Sequence, residues 1–209
     1  MSASGRGSMK FPKFRSLTSS YAGRIALVAI PAGIVSAGLM GGVAQGAVPV
    51  SFSVSGSQFQ ISASQLEGTG FSQYGGVAED SEKGKHTVAI ANIKSAELSD
   101  LCQSAVTNTP LGKVGVLITA GGDGEPATAS DLQIGMTGLK GDAEFTNIRI
   151  GVDASDVNTK AKGTAGDFAQ DSDTISIKGL EQTAWSTQAS VFTLKGMKLE
   201  LTDGSKTCF

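Results

Sequence analysis

A single histidine, His86, is all the imidazole this chain has, and only two cysteines accompany it. Zinc takes three or four nitrogen and sulfur ligands, so two Cys and one distant His do not make a zinc site. Any Ser-His-acid triad would have to use His86, and the G-x-S-x-G turn of common α/β-hydrolases does not occur. His86 lies in "AEDSEKGKHT", a charged stretch that reads as a solvated loop, a poor setting for a catalytic base. Aromatic residues are also scarce, at 6%, while 28 glycines and many Ser, Thr and Ala residues favour strands and turns. The expected core is therefore one of small aliphatic side chains. With 209 residues there is room for one ordinary domain plus a targeting segment.

Acidic side chains are missing from residues 1–24, which carry Arg6, Lys10, Lys13, Arg15 and Arg24. The remaining 12 basic residues stand against all 19 acidic ones, which leaves the rest of the chain near −7. A body of that sign has no basic stripe to neutralise phosphates, so no nucleic-acid partner is expected. After the basic opening, "IALVAIPAGIVSAGLMGGV" (Ile25 to Val43) runs for 19 residues without a charge. Basic residues followed by an apolar run mark export, with residues 1–24 held at the cytoplasmic face. Residues 25–44 are thus expected to be a signal peptide or a transmembrane anchor. Small residues at Gly42, Ala44 and Gly46 suit a signal peptidase, whereas the length approaches the roughly 20 residues of a spanning helix. Either outcome places residues 48–209 outside the membrane as an exported, β-rich domain. No Cys follows the run, which removes a lipid-modified N-terminus, and no twin-Arg signal is present.

Cys102 and Cys208 both fall in the exported part, where an even pair reads as a disulfide. Such a bond would pin the second-last residue to the middle of the domain.

Apolar and polar residues alternate with a period of two in "VPVSFSVSGSQFQI" (Val48 to Ile61), "LQIGMTGL" (Leu132 to Leu139), "FTNIRIGV" (Phe145 to Val152) and "MKLELT" (Met197 to Thr202). This is the strand pattern of a sheet with one buried face. In "SAELSDLCQSAV" the spacing of Leu98, Leu101, Cys102 and Ala105 predicts instead a short helix capped by Ser95.

Two near-copies, "ISIKGL" (Ile175 to Leu180) and "FTLKGM" (Phe192 to Met197), share an anomaly of parity. Strict alternation would bury Ile175 and Ile177 and turn Leu180 to water. A glycine at positive φ can form a bulge that adds one residue and restores Leu180 to the core. The same arithmetic applies to Gly196 and Met197, and "VAIANI" (Val88 to Ile93) offers Asn92 as its permissive residue. "MTGL" and "FTNI" preserve the end of the phrase. The spacings between phrases are irregular, which argues against a solenoid. The expected fold is mainly β: a curved antiparallel sheet, sandwich or open barrel with bulged strands and one short helix, preceded by an N-terminal hydrophobic helix. An irregular β-helix is the alternative.

Carboxylates cluster at Asp123 and Glu125, at Asp153 and Asp156, and at Asp167, Asp171 and Asp173, none with the order of an EF-hand. They read as solvated turns, and no metal or cofactor is expected. "GMTGLKG" (Gly135 to Gly141) lacks the ending of a phosphate loop and reads as bulge and turn glycine. Trp185 is a core anchor or an exposed contact, the former being the more common fate.

The basic start, the Gly-rich apolar run, "VAIANIKSAELSDLCQS", the two hexapeptides and the terminal "KTCF" together resemble an uncharacterised family of exported actinobacterial proteins. Its members carry a domain of unknown function and are sometimes labelled cholesterol esterase. The resemblance implies export and membrane association, and brings over no site residues. Three functions follow as expectations. One is a non-enzymatic envelope protein whose curved sheet binds a lipid or an integral membrane partner. The others are an esterase using His86 and a purely structural surface protein. The location is the cell membrane with the C-terminal domain outside, or secretion if residues 25–44 are cleaved.

Overall fold

The computed structural model describes residues 51–54, 56–80 and 83–209, residues 51–54 by their backbone alone. The basic segment 1–24, the apolar run 25–44 and the start of the exported body at Val48 lie outside the described residues.

The described chain is a succession of strands: β1 (Ser51–Val54), β2 (Phe59–Asp80), β3 (Lys85–Ser99), β4 (Leu101–Thr109), β5 (Gly112–Ala120), β6 (Ala127–Thr146), β7 (Arg149–Asp153), β8 (Phe168–Gln188), β9 (Val191–Thr193) and β10 (Lys198–Thr202). Antiparallel ladders join β2 to β3, β3 to β6, β6 to β8, and β8 back to the first residues of β2, which closes a four-stranded barrel. The start of β2 pairs on its other side with β4, and β4, β5 and β10 continue outward as a three-stranded wing. β7 lies along β8, β9 along β6, and β1 runs parallel to the far end of β2. The expected curved, bulged antiparallel architecture is present, and the antiparallel ladders rule out a β-helix.

No helix occurs among the described residues, so the short helix expected over Ser95 to Ala105 is corrected to two strands. Asp100, at φ 51°, turns the chain between β3 and β4 and donates its N–H to Gly121 O. Leu98 and Leu101 are three apart because this turn separates them, and each points into the core from its own strand. Ser95 caps nothing, pairing instead with Thr69 and Ser130.

The barrel interior is solid. Ile61, Leu66, Phe71, Ile93, Leu132, Ile134, Met136, Ile175, Ile177 and Leu180 are all buried in one cluster. Three strands change inward parity at one level. Leu66 and Gly68 on β2, Leu98 and Ala96 on β3, and Ala127 and Ala129 on β6 are buried on one side of that level. Phe71, Ile93 and Leu132, one residue out of phase, are buried beyond it. The ladders step over Gly70, Lys94 and Asp131 without a register shift, and Gly70 and Asp131 adopt φ of 65° and 48°. A left-handed residue rotates the strand, so the sheet bends sharply here without losing its pairing.

At "ISIKGL" the expected bulge is found. Lys140 pairs with Glu181 and Asp142 with Lys178, so Gly141 faces both Gly179 and Leu180. Gly179 sits at φ 61° and Leu180 is 2% exposed. Further register shifts flank Gly135 and Gly138, as "GMTGLKG" anticipates. "FTLKGM" is different. Gly196 has φ 62° but lies in the turn between β9 and β10, and Met197 is 51% exposed. The expectation fails there because a turn, not a partner strand, accommodates the extra residue. Leu139 and Ile148, the ends of "MTGL" and "FTNI", are likewise exposed, and Asn147 (φ 54°) turns the chain between β6 and β7.

Asn92 is a third correction, since it keeps ordinary strand φ and is buried. Beyond the kink the outer face of β2 and β3 is also covered, forming a second core of Tyr74, Ala78, Val88, Ile90, Ala154, Val157 and Ala169. Residues 154–167 supply the cover, which is why "VAIANI" is buried on both faces rather than alternating.

Candidate functional surface

His86 lies within β3, not in a solvated loop. Its Nε2 is 2.9 Å from Asp80 Oδ2, and its ring stacks on Trp185 with centroids 3.8 Å apart. Asp80 also accepts the N–H of Gly84, which tightens the connection between β2 and β3. An acid holding an imidazole is two-thirds of a triad. Among the described residues, however, no Ser, Thr or Cys side chain is hydrogen-bonded to the ring. Trp185 packs against the second core, and His86 covers its outer face.

Beside this pair a polar network fills the space under residues 154–167. Asn92 donates to Ser72 Oγ at 3.2 Å and accepts from Gln133 Nε2 at 2.8 Å, while Ser72 meets Thr159. Burial pushes the Tyr74 phenol up, against a smaller opposing effect of its hydrogen bond with Asn92. Gly163 lies against the Tyr74 ring so closely that an added Cβ would stand 2.9 Å from it. Every partner here is a neutral donor or acceptor satisfied within the protein, which describes a cover held in place rather than a reaction centre.

The carboxylate clusters divide. Asp171 is fully buried, correcting its reading as a solvated turn. Arg149 donates to Asp171 through Nε to Oδ1 at 2.8 Å and through Nη2 to Oδ2, and Asn158 N–H adds a third donor at 2.6 Å. The Arg149 hydrogen bonds hold the Asp171 carboxyl below the usual carboxylate range, against the opposing effect of burial. Asp153 accepts from Ser155 N–H and hydroxyl and from Gly166 N–H, which lowers its own pKa. Asp153 thus fastens both ends of the 154–167 cover, and Asp171 holds it at Asn158. Among the described residues no group of three or more His, Cys, Asp or Glu converges as a metal site would require.

The wing carries a surface whose composition its own packing does not explain. The Sγ atoms of Cys102 and Cys208 are 2.06 Å apart, at disulfide distance, and Cys208 N–H donates to Ser104 Oγ. Residues 203–209 thereby lie over one face of the wing, where Gly204 approaches Gly115 and Val106, and Lys206 pairs with Glu200. The opposite face is uncovered at Val114, Leu199 and Leu201, while Val116 and Ile118 are half-buried. Two cross-strand rows run across it: Phe59, Ala105, Val116, Leu201, and Ile61, Gln103, Ile118, Leu199. Directly opposed residues share a face. Lys198, Glu200 and Lys113 therefore all fall to the covered side, and Val114, Val116, Ile118, Leu199 and Leu201 form an aliphatic, charge-free patch. Leu201 is 70% and Leu199 57% exposed. Sequence reading recognised "MKLELT" as a half-buried strand but not that its apolar half faces outward. Nothing local distinguishes a leucine that meets a core from one that meets none.

A solid four-stranded antiparallel barrel with a splayed wing and a fastened cover defines a β-domain without a ligand-sized lumen. Within that class, residues 55–209 match the model of DUF6230, a family of unknown function, and the chain belongs to that family. No curated protein and no solved structure matches it.

Proposed function

We propose that this is a non-enzymatic envelope protein, exported and either held at the membrane through residues 25–44 or released. Its β-domain binds a lipid or an integral membrane partner. The observation that supports this reading is the partly exposed aliphatic face of β5 and β10. Exposed apolar residues scattered singly need no explanation, whereas here exposed Val114, Leu199 and Leu201 adjoin half-buried Val116 and Ile118 on one face, which supports an interaction surface. Side chains fill the barrel, so the partner is bound on the outside and not in a concave lumen as the curved sheet first suggested. The Cys102–Cys208 pair, oxidised outside the cell, keeps the tail on the opposite face and leaves this one open.

Native mass spectrometry of the full chain, isolated from producing cells in mild detergent, tests the proposal. A bound lipid or membrane protein is expected, and Leu199→Glu with Leu201→Glu should remove it. A protein that carries nothing under these conditions is a purely structural surface component.

An esterase would have to work through His86 and Asp80. Cholesteryl and nitrophenyl ester hydrolysis that disappears in His86→Ala while the fold is retained would overturn the non-enzymatic reading.

A further inference from the structure

We infer that the aliphatic face of the wing seats on the surface of the bilayer itself, taking the acyl and glycerol region of phospholipid as its ligand. This rests on the reading of residues 25–44 as a retained anchor, and three observations commit the patch to lipid.

The first is reach. Seven residues, 44–50, separate the apolar run from β1, which limits that gap to about 25 Å even when fully extended. Only residues 55–58 lie between β1 and β2, and Phe59, the first residue of β2, pairs with Ala105 of the wing. The first pairing of the wing thus follows five residues after the end of β1, close in the chain to where a retained anchor would enter.

The second is area. Two strands about 4.8 Å apart and five residues at about 3.3 Å each outline on the order of 160 Å². A stable protein interface removes roughly 800 Å² from each partner, so the patch is too small to hold a second copy or a large protein unaided. A tethered domain needs no such area, because the anchor already supplies a high local concentration.

The third is chemistry. Protein hot spots draw on Trp, Tyr and Arg, and this patch consists of Val114, Val116, Ile118, Leu199 and Leu201. These five side chains offer no directional group and no charge, and a fluid acyl surface asks for neither.

The test uses the full chain in phosphatidylcholine vesicles, with Trp185→Phe and Leu201→Trp providing one indole on the patch. The unsubstituted chain, with Trp185 at the second core, serves as the reference. Brominated phosphatidylcholine should quench the indole at position 201 and leave Trp185 largely unaffected, and aqueous iodide should fail to reach position 201. Leu199→Glu in the same background should reverse both results while the protein still sediments with the vesicles. If the protein sediments but the indole at 201 is quenched by iodide and not by bromolipid, the docking proposal falls and the anchor stands. Protection from both quenchers means that a protein surface covers the patch, which also overturns the proposal. A protein that fails to sediment removes the anchor reading and this inference with it.

Discussion

Ile61 of β2 and Leu199 of β10 occupy the same face of one cross-strand row, yet Ile61 is 6% exposed and Leu199 57%. The sheet that forms the barrel wall continues past its own core. Ile61→Ala should therefore cost about 2–5 kcal/mol, as core truncations do. Leu199→Ser and Leu201→Ser should stay within about 0.5 kcal/mol. Urea unfolding of the three variants, with equal m-values, checks the contrast. A large loss in either serine variant would make the wing part of the core.

Trp185 is the only tryptophan, so intrinsic emission reports on one place. Removing the stacked ring with His86→Ala should expose the indole, shift its emission to the red and cost about 0.5–1.5 kcal/mol, the worth of such a pair. Emission spectra together with urea midpoints test this. An unchanged spectrum would mean that the stack does not persist in solution.

Gly141 and Gly179 face one another in the β6–β8 bulge and should differ in tolerance. Gly179→Ala meets no neighbour within 4 Å, so only its left-handed φ is penalised, by about 1–2 kcal/mol. At Gly141 a Cβ would stand 2.6 Å from Ile177 Cγ2 and 3.0 Å from Lys178 O, which adds overpacking of about 1–3 kcal/mol. Thermal melts should rank the wild type above Gly179→Ala and Gly179→Ala above Gly141→Ala.

Acid should loosen the cover over the second core. The folded Asp171 carboxyl titrates below its unfolded value of about 3.9, so the unfolded chain binds more protons between the two. Stability from this group is complete above the unfolded pKa and is lost as pH falls through the folded one. Asp153, also lowered, acts in the same direction. Melting temperature should fall below about pH 4, and Asp171→Asn should flatten that fall while lowering stability at pH 7. An acid limb of equal steepness in the variant would disprove the assignment.

Serine at both Cys102 and Cys208 should release residues 203–209 to carboxypeptidase and lower stability by up to about 4–5 kcal/mol, the chain-entropy value for a loop of this length. Peptide mapping by mass and urea unfolding give the two readouts. A tail still protected in the double variant would show that Ser104 and Lys206 hold it without the bond.

Much of the fold was legible because period-two alternation is a local property. Each strand phrase could be recognised from its own residues, and the Gly179 bulge from the parity of Ile175, Ile177 and Leu180. Leu98 and Leu101 misled because three residues across a tight turn mimic one helical turn, and only the pairing of Asp100 with Gly121 distinguishes the two. Asn92 misled for a related reason. Its side chain can favour positive φ, but three polar neighbours brought in from β2 and β6 gave it better use in an ordinary strand. The candidate surface was the least legible part, since the apolar residues of "KLELT" look the same whether or not another layer covers them.

By itself the sequence determined an aliphatic, antiparallel β-domain, its turn glycines and the two cysteines available for pairing, all set by side-chain chemistry and backbone freedom over a few residues. The tertiary structure alone decided where the sheet bends, at Gly70, Lys94 and Asp131 together, and which apolar face remains partly exposed. Those outcomes depend on which strands meet at which register, and chain neighbours carry no record of a partner fifty residues away.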